Sequence, residues 1–437
     1  MNEQLINIES PPEADHSVLK KTGLTLFSIG MLFFLISFSS VTDFSPVLFF
    51  ILAILLPCVG ALIFFFAQLN GTLPGVRKNG IQFLSATNRG MLGWVTAVFL
   101  TGMYILIYWF PELLENLIRI FDPLSYTLNG NPANQWFLYG TLYTLAVLVM
   151  GVRMIIQNRH NKYQIIRTFS VMFFQLILAY LIPMFIQNGF YFTYFWPLKP
   201  EYLFPSSYSY LVSSSGLGMF MFFWAAMMIF IATPVLTYFY GKRWYCSWIC
   251  GCGAMAETLG DPYRQNSDKS LTSWKIERWM VHSVLVIITV ITAMLWIDNV
   301  NENFILGEFV HSANKWYAFF IGAMFAGVIG VGFYPLMGSR VWCRFGCPMA
   351  AILGIFQKYF SRFRITVNGG QCISCGNCST FCEMGIDVKS YAQRGQNVIR
   401  SSCVGCGVCS EVCPRGVLRL ENGPVKGRYE LNKEYLR

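Results

Sequence analysis

Eight apolar runs constrain this chain more than any other feature. They lie near residues 23–42, 46–69, 90–110, 135–156, 168–187, 216–240, 279–297 and 317–338. Each is about 19–25 residues long, enough to cross a bilayer core of ~30 Å at ~1.5 Å per residue. One such run could be a buried helix of a large soluble protein; eight in one chain predict membrane spans. Composition agrees. Only 12% of the 437 residues are charged, against about a quarter in a soluble domain.

The loops predict the topology. With the N-terminus inside, the inner segments hold Lys20, Lys21, Arg77, Lys78, Arg89, Arg159, Lys162 and Arg167, the basic residues of 241–278, and everything after 338. The outer segments hold only Arg119, Lys199 and Lys315. The positive-inside rule then places both ends in the cytoplasm of a bacterial inner membrane. This also accounts for the net charge of +10. The anionic inner leaflet is the partner, and no nucleic acid is needed. Residues 1–22 are polar and acidic and do not read as a cleaved signal peptide. The outer segment 188–215 is dense in aromatics and reads as an interfacial belt.

Chemistry enters with fourteen cysteines. Cys372, Cys375, Cys378 and Cys382 form C-x2-C-x2-C-x3-C. Cys403, Cys406, Cys409 and Cys413 repeat it, followed by Pro414. Three thiolates at that spacing wrap one corner of an iron–sulfur cube, and the fourth reaches the other cube. One [4Fe-4S] cluster is therefore expected on Cys372, Cys375, Cys378 and Cys413, and a second on Cys403, Cys406, Cys409 and Cys382. Zinc knuckles and disulfides fit a duplicated four-cysteine run poorly. Glu383 stands where the second run has Pro414. It puts a carboxylate near the second cluster, where it could lower the potential.

Two further motifs follow the sixth and eighth runs. Gly241–Cys250 reads G-K-R-W-Y-C-S-W-I-C, and Gly338–Cys347 reads G-S-R-V-W-C-R-F-G-C. Aligned, they form an internal repeat: a span ending in Gly, Arg, an aromatic and C-x3-C. On a helix, each pair of sulfurs shares one face. Brought together, Cys246, Cys250, Cys343 and Cys347 could hold a third cluster, a copper or zinc ion, or act as a redox dithiol, with Cys252 a fifth candidate. Cys58 is alone in mid-span and reads as packing.

The expected fold is a polytopic α-helical membrane protein of about eight spans with a C-terminal α+β two-cluster bacterial-type ferredoxin domain. Its parts are a cytoplasmic tail (1–22), a four-span part (23–167), a second four-span part with the paired C-x3-C motifs (168–348), an interfacial amphipathic helix (349–366) and the ferredoxin domain (367–437). Asn397–Ser401 and Gly416–Leu420 read as short strands. Of four histidines only His282 falls inside a span, so haem held between facing histidines is not expected. No Asp, Glu or Lys falls inside these runs, which argues against an ion pump and against an electron path through the bilayer in this chain alone.

Spans ending in C-x3-C followed by a two-cluster ferredoxin resemble the NapH/NosR/CcoG group of membrane polyferredoxins, over roughly residues 168–420. The matching positions are Cys246, Cys250, Cys343, Cys347, Pro348 and the eight ferredoxin cysteines. The first motif has Gly251 in place of the proline, and residues 1–167 match nothing in that group. The resemblance implies quinol oxidation or metal reduction in the membrane part, with clusters relaying electrons. The expected function is an electron relay between the quinone pool and a redox partner protein or subunit, of quinol dehydrogenase type. Quinone would bind near the inner ends of spans six to eight, where Arg243 and Arg340 could steady an anionic centre. The alternative is a copper reductase or assembly factor built on the membrane thiols.

Overall fold

The computed structural model describes residues 17–70, 84–186, 191–206, 208–209, 215–301, 307–368 and 371–422. The acidic tail with His16, and Arg77, Lys78 and Tyr210, lie outside the described residues. Among the described residues, eight helices are long and apolar enough to cross a membrane: Ser17–Ile36, Pro46–Leu69, Met91–Trp109, Gln135–Gln157, Lys162–Ile186, Gly218–Tyr240, Leu271–Val300 and Gly307–Gly332.

The number of spans agrees with the sequence reading; some boundaries do not. The first and eighth spans begin earlier than their apolar runs, at Ser17 and Gly307. The seventh extends at both ends to take in Lys275, Glu277 and Asp298. Glu277 is buried there by Arg344 at 3.1 Å, so the helix carries its charge into the protein rather than into lipid. Wide π-turns at Ile51–Leu55, Phe174–Leu181 and Met228–Ala232 each end two residues before a proline: Pro57, Pro183 and Pro234. Proline has no N–H and its ring crowds the carbonyl four residues back, so the preceding turn widens.

The first two spans meet through glycines. A Cβ on Gly60 would lie 2.7 Å from the Gly23 carbonyl oxygen, so only glycine allows the backbones this close. The third span packs against the eighth. Gly332 abuts Thr101, and Gly327 abuts Tyr104.

After the eighth span, the helix expected over 349–366 runs only Pro348–Tyr359. It is not simply laid on a leaflet. Met349 and Leu353 are fully buried among the protein's own side chains, while Tyr359 and Phe360 are exposed. Phe363, expected on that helix, instead opens strand β1 (Phe363–Val367). β1 pairs antiparallel with β2 (Leu418–Asn422), with Ile365 opposite Leu420. Of the expected strand at Asn397–Ser401, only a bridge from Val398 to Ile365 forms. The two cysteine runs lie between these strands, each with a left-handed glycine after its second cysteine: Gly376 at φ 84° and Gly407 at φ 81°.

Candidate functional site

Each ferredoxin run turns through a loop into a four-residue helix, Asn377–Thr380 or Val408–Glu411. Cys372, Cys375, Cys378 and Cys413 line a single cavity. Cys382 lies within charge range of Cys403 and Cys409. The fourth cysteine of each run thus lies beside the first three of the other. The backbone N–H of Ile386 donates to the Cys382 sulfur at 3.4 Å.

The C-x3-C motifs also come together. Cys246, Cys250, Cys343 and Cys347 are all buried and belong to one packed cluster with Tyr245 and Trp342. They lie inside the protein, among its spans. The segment after Cys246 turns back among the spans. The Ile249 carbonyl accepts from the Gln175 side chain at 2.7 Å, and the Gly251 carbonyl accepts from the Tyr143 hydroxyl at 2.8 Å. Gln175 lies about 20 Å along the fifth span, and Tyr143 about 12 Å from the far end of the fourth. Non-helical backbone at that depth persists only where protein groups satisfy its carbonyls, which these two side chains do.

The site is covered from the opposite side by the aromatic segment read as a belt. Tyr245 donates its hydroxyl to the Thr193 carbonyl at 2.8 Å. Phe195 is fully buried, its ring centre 5.2 Å from that of Tyr245. Trp196 donates to Thr292, well inside the seventh span, at 3.2 Å. Residues 191–198 thus dip inward to close the site.

Among the described residues, no three of these membrane sulfurs approach within 4.8 Å of one another. A single zinc or copper ion with thiolates at ~2.3 Å would hold its sulfurs about 4 Å apart. A cube needs wider spacing, which is also what the ferredoxin cysteines show. Burial pushes the Cys246 thiol up to about 12, against the opposing charge of Lys242. Cys250 is lowered to about 7, chiefly by a hydrogen bond with Cys252. Arg340 donates toward the Cys343 sulfur at 3.7 Å, and the Ala350 N–H toward that of Cys347 at 3.4 Å.

The one described set of three ligand-type atoms within 4.8 Å is Glu257, Glu383 and Cys406. Arginines already occupy it. Glu257 binds Arg167 at 2.7 Å, Arg340 at 2.7 Å, and Arg264. Glu383 binds Arg264 at 2.6 Å and Arg340 at 3.1 Å. Asp261 binds Arg264 at 2.6 Å and Arg153 at 3.1 Å. Burial alone would raise Glu257, but the three guanidiniums overturn that and hold it far below the usual carboxylate range. Glu383 is raised, by burial first and by the charge of Glu257 as well. Glu383 does lie beside Cys406 of the second run, where the sequence reading puts a carboxylate, with two arginines balancing its charge. Sequence reading missed Arg167, Glu257, Asp261 and Arg264. Glu257, Asp261 and Arg264 do stand out at helical spacing just after a cysteine motif in a charge-poor chain. Arg243 does not join Arg340 in this network; it stacks 4.8 Å from the centre of the Phe363 ring.

The two cysteine sets abut. The hydroxyl of Ser247, next to Cys246, donates to the carbonyl of Val404, next to Cys403, at 2.8 Å. The Gln357 side chain accepts from the Lys242 N–H at 2.6 Å and donates to the Cys403 carbonyl at 2.7 Å. From the fifth span, Tyr163 donates to the Gly405 carbonyl at 2.8 Å and Gln164 to that of Cys406 at 2.9 Å.

Comparison with known proteins agrees with this arrangement. A 4Fe-4S dicluster domain family matches residues 365–420. A 4Fe-4S binding domain family matches residues 222–270 and 317–368, the two units that carry the C-x3-C motifs. YccM of Escherichia coli (strain K12), named as an electron transport protein, is 29% identical over 39% of this chain and 49% of its own length. The methylamine utilization ferredoxin-type protein MauN of Methylobacillus flagellatus is 27% identical over 35% of this chain and 53% of its own. The chain thus spans about half the length of the curated relatives it matches. No solved structure matches. Eight spans, the duplicated cysteine runs and these matches lead to one statement: the chain is a 4Fe-4S-binding, multi-spanning membrane protein related to the NapH/MauN-type electron-transport proteins.

Proposed function

We propose that this protein relays electrons between the quinone pool and a redox partner through two ferredoxin clusters and a further cluster inside the membrane. Cys372, Cys375, Cys378 and Cys413 would hold the first, and Cys403, Cys406, Cys409 and Cys382 the second. Cys246, Cys250, Cys343 and Cys347 would hold the third, with Cys252 outside it as the hydrogen-bond partner of Cys250. Such clusters supply one-electron carriers, which suits a two-electron donor feeding single electrons onward. The basic loops favour a cytoplasmic position for both ends.

The observation that carries this reading is the 2.8 Å hydrogen bond from Ser247 to Val404, which joins the two cysteine sets through adjacent residues. The chain's own groups do the positioning. Arg340 places positive charge beside Cys343, and the Ala350 and Ile386 amides aim at cysteine sulfurs. Gln175 and Tyr143 fix the backbone between Cys246 and Cys252. The apolar ends of spans six to eight are the proposed quinone region. The copper alternative would have to rest on two thiolates, since no three of these sulfurs approach within 4.8 Å.

Iron analysis and low-temperature EPR of anaerobically purified protein test the proposal. About twelve irons per chain are expected, four per cluster. The double variant Cys343→Ser/Cys347→Ser should lose about four of them, keep both ferredoxin signals and no longer be reduced by quinol. Unchanged iron and unchanged quinol reduction in that variant would refute the third cluster. About one copper per chain would favour the metal-handling alternative.

A further inference from the structure

One cavity borders the relay, with Cys343 in its wall, and its basic side is not used by it. It opens between the ferredoxin-side end of the seventh span, the helix Pro348–Tyr359 and residues 399–402, with a volume of about 90 Å³. Lys242, Arg278, Arg344, Lys358 and Arg400 line it with His282, against one carboxylate, Glu277. That carboxylate is taken by Arg344 at 3.1 Å.

The other cations have no anion among the described residues. Lys242 is only 2% exposed, yet its ammonium reaches just the Ser401 carbonyl, at 3.3 Å. Arg400 donates to the Tyr391 hydroxyl at 3.1 Å and lies 4.6 Å from the centre of the Trp274 ring. Arg278 stacks on the same ring at 5.3 Å, and Lys358 on Tyr359 at 5.0 Å. The Nδ1 atom of His282 is buried with no partner. Lys242 also faces the Cys246, Cys343 and Cys403 thiols, so part of its charge serves them. Arg278 and Lys358 are exposed and have no such use. With a single carboxylate, already paired, among five cations, this wall favours a bound anion.

Size and depth narrow the anion. The cavity has room for about six waters at roughly 15 Å³ each, which suits a phosphate group. It is far below the ~300 Å³ at which pockets for ring-bearing ligands begin, so a quinone head does not fit. Trp274 and the exposed Trp279 mark this end of the span as interfacial, the level of lipid headgroups.

We propose that this cavity binds a phosphate group, that of an anionic phospholipid of the leaflet facing the ferredoxin module. Basic pockets between spans recognise headgroups by this chemistry. The test uses the full chain in nanodiscs of phosphatidylcholine with a minority of phosphatidylglycerol. Native mass spectrometry reads retained lipid, and labelled inorganic phosphate is measured separately in detergent. The variant Arg278→Gln/Lys358→Gln, with iron content confirming the fold, should retain phosphatidylglycerol about thirtyfold less well than the parent. If only inorganic phosphate binds, and the variant weakens it, the phosphate site stands and the lipid source is overturned. Equal lipid retention by both proteins, together with no phosphate binding by either, overturns the site. Neither readout depends on electron flow, so failure here is separable from failure of the relay.

Discussion

Arg340 and Glu257 stand 2.7 Å apart, although 83 residues separate them in the chain. Glu257 follows the first cysteine motif and Arg340 opens the second. The ion pair therefore ties the two repeat units together at the level of their thiols. Through Glu383 the same guanidinium reaches the first ferredoxin run.

Glu257→Gln should destabilise the protein by about 3–5 kcal/mol, because it leaves buried guanidiniums short of a partner. Thermal unfolding in detergent measures it. The pH dependence follows from the depressed pKa. The folded state holds Glu257 ionised, so its contribution is complete above about pH 5 and is lost as pH falls toward the folded value. The parent should therefore lose stability on acidification below about pH 4. The Gln variant, with no proton to take up at 257, should lose less.

Tyr143→Phe and Gln175→Leu each strip a donor from a carbonyl deep in the protein. Each should cost about 1–3 kcal/mol. Tyr143 shares its one hydroxyl hydrogen between the Gly251 carbonyl and the Gln175 side-chain oxygen, 3.0 Å away, so the double variant should fall short of the sum. A double-mutant cycle on melting temperatures decides; strict additivity would show that the two caps act apart.

Gly253→Ala should disrupt the first motif. Its Cβ would lie 2.0 Å from the Cys246 carbonyl oxygen, a backbone atom that cannot swing away. Loss of iron from the membrane cysteines, with the ferredoxin EPR signals retained, is the expected signature. Gly102→Ala and Gly322→Ala open onto free space and serve as neutral controls.

Tyr163→Phe/Gln164→Leu removes the two side-chain donors that the fifth span offers to the loop around Cys406. Hydrogen exchange over residues 403–409 should accelerate at least severalfold, while exchange in strands β1 and β2 stays as in the parent. Unchanged exchange in the loop would mean that Ser247 and Gln357 alone hold the module in place.

Much of the site was legible because its signal is local. Cys372, Cys375 and Cys378 lie close in sequence, so spacing alone reports that they can share one cube. The repeat from Gly241 and Gly338 likewise needed only two stretches to be compared. The charge network was not legible. Arg167, Glu257, Arg340 and Glu383 come from four separate regions, and no pattern along the chain pairs them. Strand β1 was hidden by its own residues. Phe360 and Phe363 continue the spacing of the preceding helix, and only pairing with Leu418–Asn422 pulls Phe363–Val367 into a sheet.

Hydropathy and cysteine spacing by themselves determined that the described chain carries eight helices long and apolar enough to cross a membrane, with a 4Fe-4S domain after the last of them. Both are properties of short segments, set by transfer free energy and by the reach of adjacent thiolates. Tertiary structure alone decided that the C-x3-C thiols sit deep among the spans rather than at the surface. That depth depends on donors from distant helices, Gln175 and Tyr143, which make an unpaired backbone tolerable away from water.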